Sequence, residues 1–137
     1  MEGHFGTISQ IQFPQNYGQV FASCSFDEIR IWSQAGKELL KIELVQGNQI
    51  EYAKCNCIEF VPDGKSVISG WTDGRIRSFL PQSGKLFWVI NDAHKAVNKD
   101  FGGVMCMTAA QNCEHLLTGG QDGEVKLWCI GKQSRKL

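Results

Sequence analysis

Three segments of the chain align without a gap: "ASCSFDEIRIW" (22–32), "SGWTDGRIRSF" (69–79) and "TGGQDGEVKLW" (118–128). Each runs from a small residue to an aromatic ten positions later, and those aromatics, Trp32, Phe79 and Trp128, are 47 and 49 residues apart. A repeat of this length is one supersecondary unit that cannot bury its apolar side alone. The chain must therefore stack copies of the unit around a shared core.

The same register extends backwards. Ile8, Cys55 and Val104 each lie 24 residues before their aromatic and open the runs "ISQIQF", "CNCIEF" and "VMCMTA". Alternation of this kind marks strands with one buried face. Further strands follow at "QVFASC", "SVISG" and "HLLTG", then at "IRIW", "RIRSF" and "VKLW", and fourth strands at "LLKIEL" and "LFWVI". Asp63-Gly64, Asp73-Gly74 and Asp122-Gly123 supply the positive φ that tight hairpin turns require. The predicted architecture is all-β: three four-stranded antiparallel units spanning 1–44, 45–92 and 93–137, the last strand of the third breaking off at "SRKL". Extra residues at 45–54 and 95–103 are expected to be loops entering the first strand of their unit.

Composition narrows the function classes. Fourteen basic residues balance fourteen acidic ones, which removes the electrostatic footprint of a nucleic-acid binder. The longest apolar run, "LFWVI", is far too short to span a bilayer, and "MEGHFG" has no secretion signal pattern, so an intracellular, cytoplasmic protein is expected. The six cysteines have no zinc-finger spacing and are expected to be reduced, buried small hydrophobes. "GKS" (64–66) echoes a phosphate loop but has Glu59 where glycine is needed, so no nucleotide or other cofactor is expected.

Four-stranded units ending in tryptophan at this spacing resemble the blades of a WD-repeat β-propeller. The resemblance implies a buried tetrad in each blade: a histidine, a Ser or Thr on the second strand, an Asp in the following turn and the tryptophan. His94, Thr118, Asp122 and Trp128 match it in the third repeat. The chemistry suits burial, since the indole N–H can donate to the hydroxyl, the hydroxyl to a neutral imidazole nitrogen, and the other imidazole N–H to the carboxylate. Thr118, His94 and Asp122 also spell a nucleophilic triad, but a nucleophile needs an accessible oxygen that the indole would here occupy. No catalytic or metal-binding residue is therefore expected. Repeat one keeps His4 and Trp32, with Ala22 at the Ser/Thr position, Phe26 at the Asp position and Asp27 one place late. Repeat two keeps Ser69 and Asp73 but has Phe79 in place of tryptophan and no histidine. Both are expected to rely on apolar packing. Trp71, Lys95, Lys99 and Phe101 are the candidate partner contacts.

Beyond the general pattern, "FASCSFDEIRIW", "DGKSVISGWTDGRIRSF", "VINDAH" and "LLTGGQDGEVKLWCIGKQSRKL" resemble a ciliary and flagellar branch of the WD-repeat family. That branch comprises long repeat chains forming two propellers in the axoneme. The resemblance implies a non-enzymatic scaffold whose partners are tubulin or other axonemal proteins. A WD-repeat adaptor for ubiquitination, trafficking or RNA processing is the alternative. Three blades do not close a ring, propellers using four to eight. If each open face exposes about 500 Å² of apolar surface, the forgone burial is roughly 12 kcal/mol per face. That rivals the ~7–20 kcal/mol of total stability such a chain should have. The chain is therefore expected to be a piece of a longer protein or to associate with itself through its open faces.

Overall fold

The structure, a computed structural model, describes residues 3–4, 6–15, 18–26, 28–46, 49–50, 53–97 and 101–131. Alternating apolar runs become antiparallel strands throughout. The first blade holds β1 (Gln10–Gln12), β2 (Val20–Cys24), β3 (Glu28–Ser33) and β4 (Glu38–Glu43) in sequential order. A small hairpin, β5 (Val45–Gln46) with β6 (Gln49–Ile50), occupies part of the segment expected to be a plain loop. The second blade holds β7 (Cys55–Phe60), β8 (Val67–Trp71), β9 (Ile76–Phe79) and β10 (Leu86–Ile90). The third holds β11 (Val104–Ala109), β12 (His115–Gly120) and β13 (Val125–Cys129). A fourth strand at its end would fall on residues 132–137, outside the described residues.

The blades meet face to face. Ala22, Cys24, Ile29 and Ile31 of the first pack against Ile58, Phe60, Val67 and Trp71 of the second. On the opposite face of the second blade, Cys57, Ile68 and Ile76 pack with Val104 and Leu116 of the third. Period-two alternation is what lets one sheet serve two cores. The first strands of neighbouring blades lie side by side, β1 against β7 and β7 against β11. Polar ties cross there: the Ile58 N–H donates to Gln10 Oε1 at 2.8 Å, and Asn56 Nδ2 donates to the Val104 carbonyl at 2.9 Å. Among the described residues the three sheets form an open arc, with one face of the first blade and one of the third uncovered.

The cysteines divide. Cys24, Cys55 and Cys57 are buried between blades, and burial pushes the Cys55 and Cys57 thiols up from their ordinary range. Cys106 and Cys129 are exposed and Cys113 half-buried, which corrects the expectation that all six are core residues. Cys106 stands where Cys57 stands in the second blade, but its face lacks the neighbouring blade that covers Cys57. No helix among the described residues is long and apolar enough to cross a membrane.

Candidate functional site

His94 reaches the third blade from the turn of the second. The Ala93 and His94 N–H groups both donate to the Gly74 carbonyl, at 2.9 and 3.2 Å, and Lys126 Nζ holds the Ala93 carbonyl at 2.7 Å. The imidazole then lies under Gly120, where any Cβ would collide with its Nδ1. Its Nε2 is 2.8 Å from Thr118 Oγ1, and its Nδ1 is 3.1 and 3.2 Å from the two Asp122 oxygens. The Trp128 indole donates to the same Thr118 oxygen at 2.8 Å. With the carboxylate accepting, Nδ1 carries the proton and Nε2 accepts from the hydroxyl. The Thr118 oxygen is thereby engaged on both sides and buried, so it is not poised as a nucleophile.

Asp122 also accepts the backbone N–H groups of Lys95 and Glu124, each at 3.0 Å. The Lys95 bond leads in holding its carboxyl down at about 2, with the Glu124 and His94 bonds adding and partial desolvation opposing. A group depressed in this way adds stability above its unfolded value of 3.8, and that stability is lost as pH falls through about 2. Urea titrations of wild type and Asp122→Asn should therefore show a stability gap at pH 5 that narrows steadily by pH 2. A gap independent of pH would contradict this role of the carboxylate.

The first blade is built differently from its sequence reading. His4 Nε2 lies 2.6 Å from Ser23 Oγ, and the Trp32 indole donates to that oxygen at 2.9 Å. His4 Nδ1 is 2.9 Å from Glu28 Oε1. Ser23 and Glu28 thus occupy the places assigned to Ala22 and Phe26 or Asp27, and the blade has a four-membered polar chain rather than apolar packing alone. The cause is the turn. Ser25 N–H bonds the Glu28 carbonyl, whereas the matching bonds in the other blades run from Trp71 to Arg75 and from Gly120 to Glu124. The first hairpin is one residue shorter, so counting back from the tryptophan without a gap lands one position early. The absence of Asp-Gly in "SFDE" was the available signal. Burial works to raise the Glu28 carboxyl, but Arg30, Lys41 and His4 outweigh it and hold the group below its usual range. Arg30 Nε bonds it at 2.9 Å.

The second blade substitutes more widely. The Trp71 indole, two residues along the same strand, donates to Ser69 Oγ at 2.7 Å, and that hydroxyl donates to the Arg77 carbonyl at 2.9 Å. Asp73 is clasped by Arg77, whose two terminal nitrogens lie 3.2 and 2.7 Å from its oxygens. The guanidinium carbon sits 5.3 Å from the Trp71 ring centroid. Arg77 thus takes the histidine's place beside the aspartate, and Phe79 supplies only packing. Trp71 is fully buried, which corrects its assignment as a partner contact.

Of the other expected contacts, Lys95 is exposed and Phe101 is 65% exposed. Each directly precedes one of the two residues, Ala96 and Gly102, that an isolated antiparallel bridge joins. Lys99 lies outside the described residues. His94, Asp122 and Glu124 each place a potential ligand atom within 4.8 Å of the others. His94 and Asp122 are already each other's partners, so a cation there would have to displace the polar chain that binds the blade.

Comparison with known proteins agrees with this geometry. The chain is 39% identical over 135 residues to cilia- and flagella-associated protein 52 of Bos taurus, a match spanning 98% of this chain and 20% of that protein. The proteins of that name from Homo sapiens and Chlamydomonas reinhardtii are each 38% identical over the same shares. The chain thus spans about a fifth of the length of these curated relatives. Among solved structures, the RRP9 WD40 repeats superpose with a TM-score of 0.80 at 20% identity, covering 96% of this chain and 38% of that one, a likeness of fold. The family model "WD domain, G-beta repeat" matches residues 45–79 and 92–129. Blades stacked through their faces, a polar chain ending on tryptophan and a family match over more than half its residues mean that the chain belongs to the WD40-repeat family.

Proposed function

We propose that the chain is part of a non-enzymatic scaffold that binds other proteins within a ciliary or flagellar axonemal assembly, with tubulin or other axonemal proteins as partners. The observation that carries this reading is the similarity, along 98% of the chain, to proteins named cilia- and flagella-associated in mammals and in an alga. The site chemistry supports the non-catalytic part. His94, Thr118, Asp122 and Trp128 form one hydrogen-bonded chain and His4, Ser23, Glu28 and Trp32 another, and their carboxylates are further engaged by backbone N–H groups or Arg30, which supports a role in holding blades.

Localisation tests the reading. Tagged protein expressed in ciliated cells should remain with the axoneme after detergent extraction of the membrane. A diffuse signal excluded from cilia would overturn the axonemal assignment, and a hydrolase probe that labelled Thr118 would overturn the non-catalytic one.

A further inference from the structure

The turns carrying Asp73 and Asp122 leave the strands at one end of the blades. Because neighbouring strands run antiparallel, the β3–β4, β7–β8 and β9–β10 turns emerge together at the other end. There the first two blades part to leave a cleft of about 530 Å³, within the roughly 300–1,000 Å³ of ligand sites. Its walls are apolar: Ile31, Leu39 and Leu40 from the first blade, Phe60 and Pro81 from the second. Leu39 is 51% exposed. The β9–β10 turn presses against the first blade, since a Cβ on Gly84 would meet the Leu40 and Ile42 side chains at 3.2 and 3.3 Å. Both walls belong to described blades, so the cleft is separate from the two uncovered end faces of the arc.

A cation stands at the mouth. Lys65, on the β7–β8 turn, borders the cleft and is exposed. Among the described residues no hydrogen bond or ion pair reaches its amine, nor those of Lys37 and Lys85 on the β3–β4 and β9–β10 turns. The acids of these turns are engaged. Asp63 Oδ1 accepts the Lys65 N–H at 2.9 Å, and Glu38 pairs with Arg30 at 2.8 Å. The corresponding cleft between the second and third blades, about 490 Å³, has Glu114 and Asn112 where the first has Lys65 and Asp63. Lys65 borders that cleft too, but shares its rim with Glu114, so an anion gains less there.

We propose that the cleft between the first two blades binds a linear segment of a partner protein in which large apolar side chains are flanked by acidic residues. The apolar side chains enter between the blades, where burying them is favourable. The flanking carboxylates meet Lys65, while Lys37 and Lys85 add attraction at longer range and speed the encounter. A peptide fits this surface better than a membrane does, because a flat lipid face would touch the rim lysines without filling the recess. The inference does not depend on the ciliary reading, since it concerns the chemistry of a partner and not its place in the cell.

Fluorescence anisotropy of the full-length natural protein tests it with two labelled peptides. One has leucine and phenylalanine flanked by glutamates, and the other has lysines in place of the glutamates. The acidic peptide should bind roughly tenfold or more tightly than the basic one, and added salt should weaken it. Lys65→Glu should raise the Kd for the acidic peptide at least roughly tenfold, and Leu39→Ser roughly fivefold. Lys65→Glu should in exchange bind the basic peptide, which also shows that the variant folds. Equal binding of both peptides by the wild type, no saturable binding of either, or acidic-peptide binding untouched by Lys65→Glu or by Leu39→Ser would each overturn the proposal. Binding to phosphatidylserine vesicles without binding to the acidic peptide would overturn it as well.

Discussion

Trp71→Ala should lower stability by about 3–5 kcal/mol, the range for removing a large buried aromatic. The side chain is completely buried between the first two blades, and its loss does more than leave a cavity. The Ser69 oxygen loses its indole donor, and the Arg77 guanidinium loses the ring it rests on. For a chain of this size the cost corresponds to a fall in melting temperature of roughly 10 °C or more. Trp71→Phe, which keeps a ring but no N–H, should recover more than half of the loss. Thermal unfolding followed by circular dichroism reads both. A Trp71→Ala protein melting within a degree or two of wild type would show that the indole does not join the blades.

The second large effect separates two glycines that look alike in sequence. Gly74→Ala should cost about 3–5 kcal/mol, combining left-handed backbone strain with forced separation of the second and third blades. Gly123→Ala carries the same strain but meets no neighbour, so it should cost only about 1–2 kcal/mol in the single chain. Chemical denaturation of both variants at low protein concentration measures the difference. Equal destabilisation would mean that the blade joint at Gly74 is looser than its hydrogen bonds indicate.

Much of this architecture is legible in one dimension. Strand alternation has a period of two whatever the neighbours, and turns with positive φ announce themselves through Asp-Gly. Gapless spacing therefore sufficed to locate most of the strands, and the resemblance to WD repeats pointed to His94, Thr118, Asp122 and Trp128, which the structure brings within hydrogen-bond reach of one another. It failed where spacing and position part company. Ser23 was passed over for Ala22 because a hairpin one residue shorter moves the hydroxyl without moving the tryptophan. Trp71 and Arg77 were missed as replacements because they reach Ser69 and Asp73 from positions the repeat reserves for other roles.

The sequence by itself determined that this chain is all-β, that it is a stack of three similar units, and that its polar repeat residues hold structure together. Those properties follow from local periodicity and from the donor and acceptor chemistry of each residue type. Only the tertiary structure decided which hydroxyl each indole reaches, why Arg77 can stand beside Asp73 without a histidine, and which apolar residues are covered. Leu117 and Ile68 occupy equivalent positions in their blades, yet one is 43% exposed and the other is buried. Burial is a property of the neighbouring blade, and no residue's own position in a repeat records whether that neighbour is present.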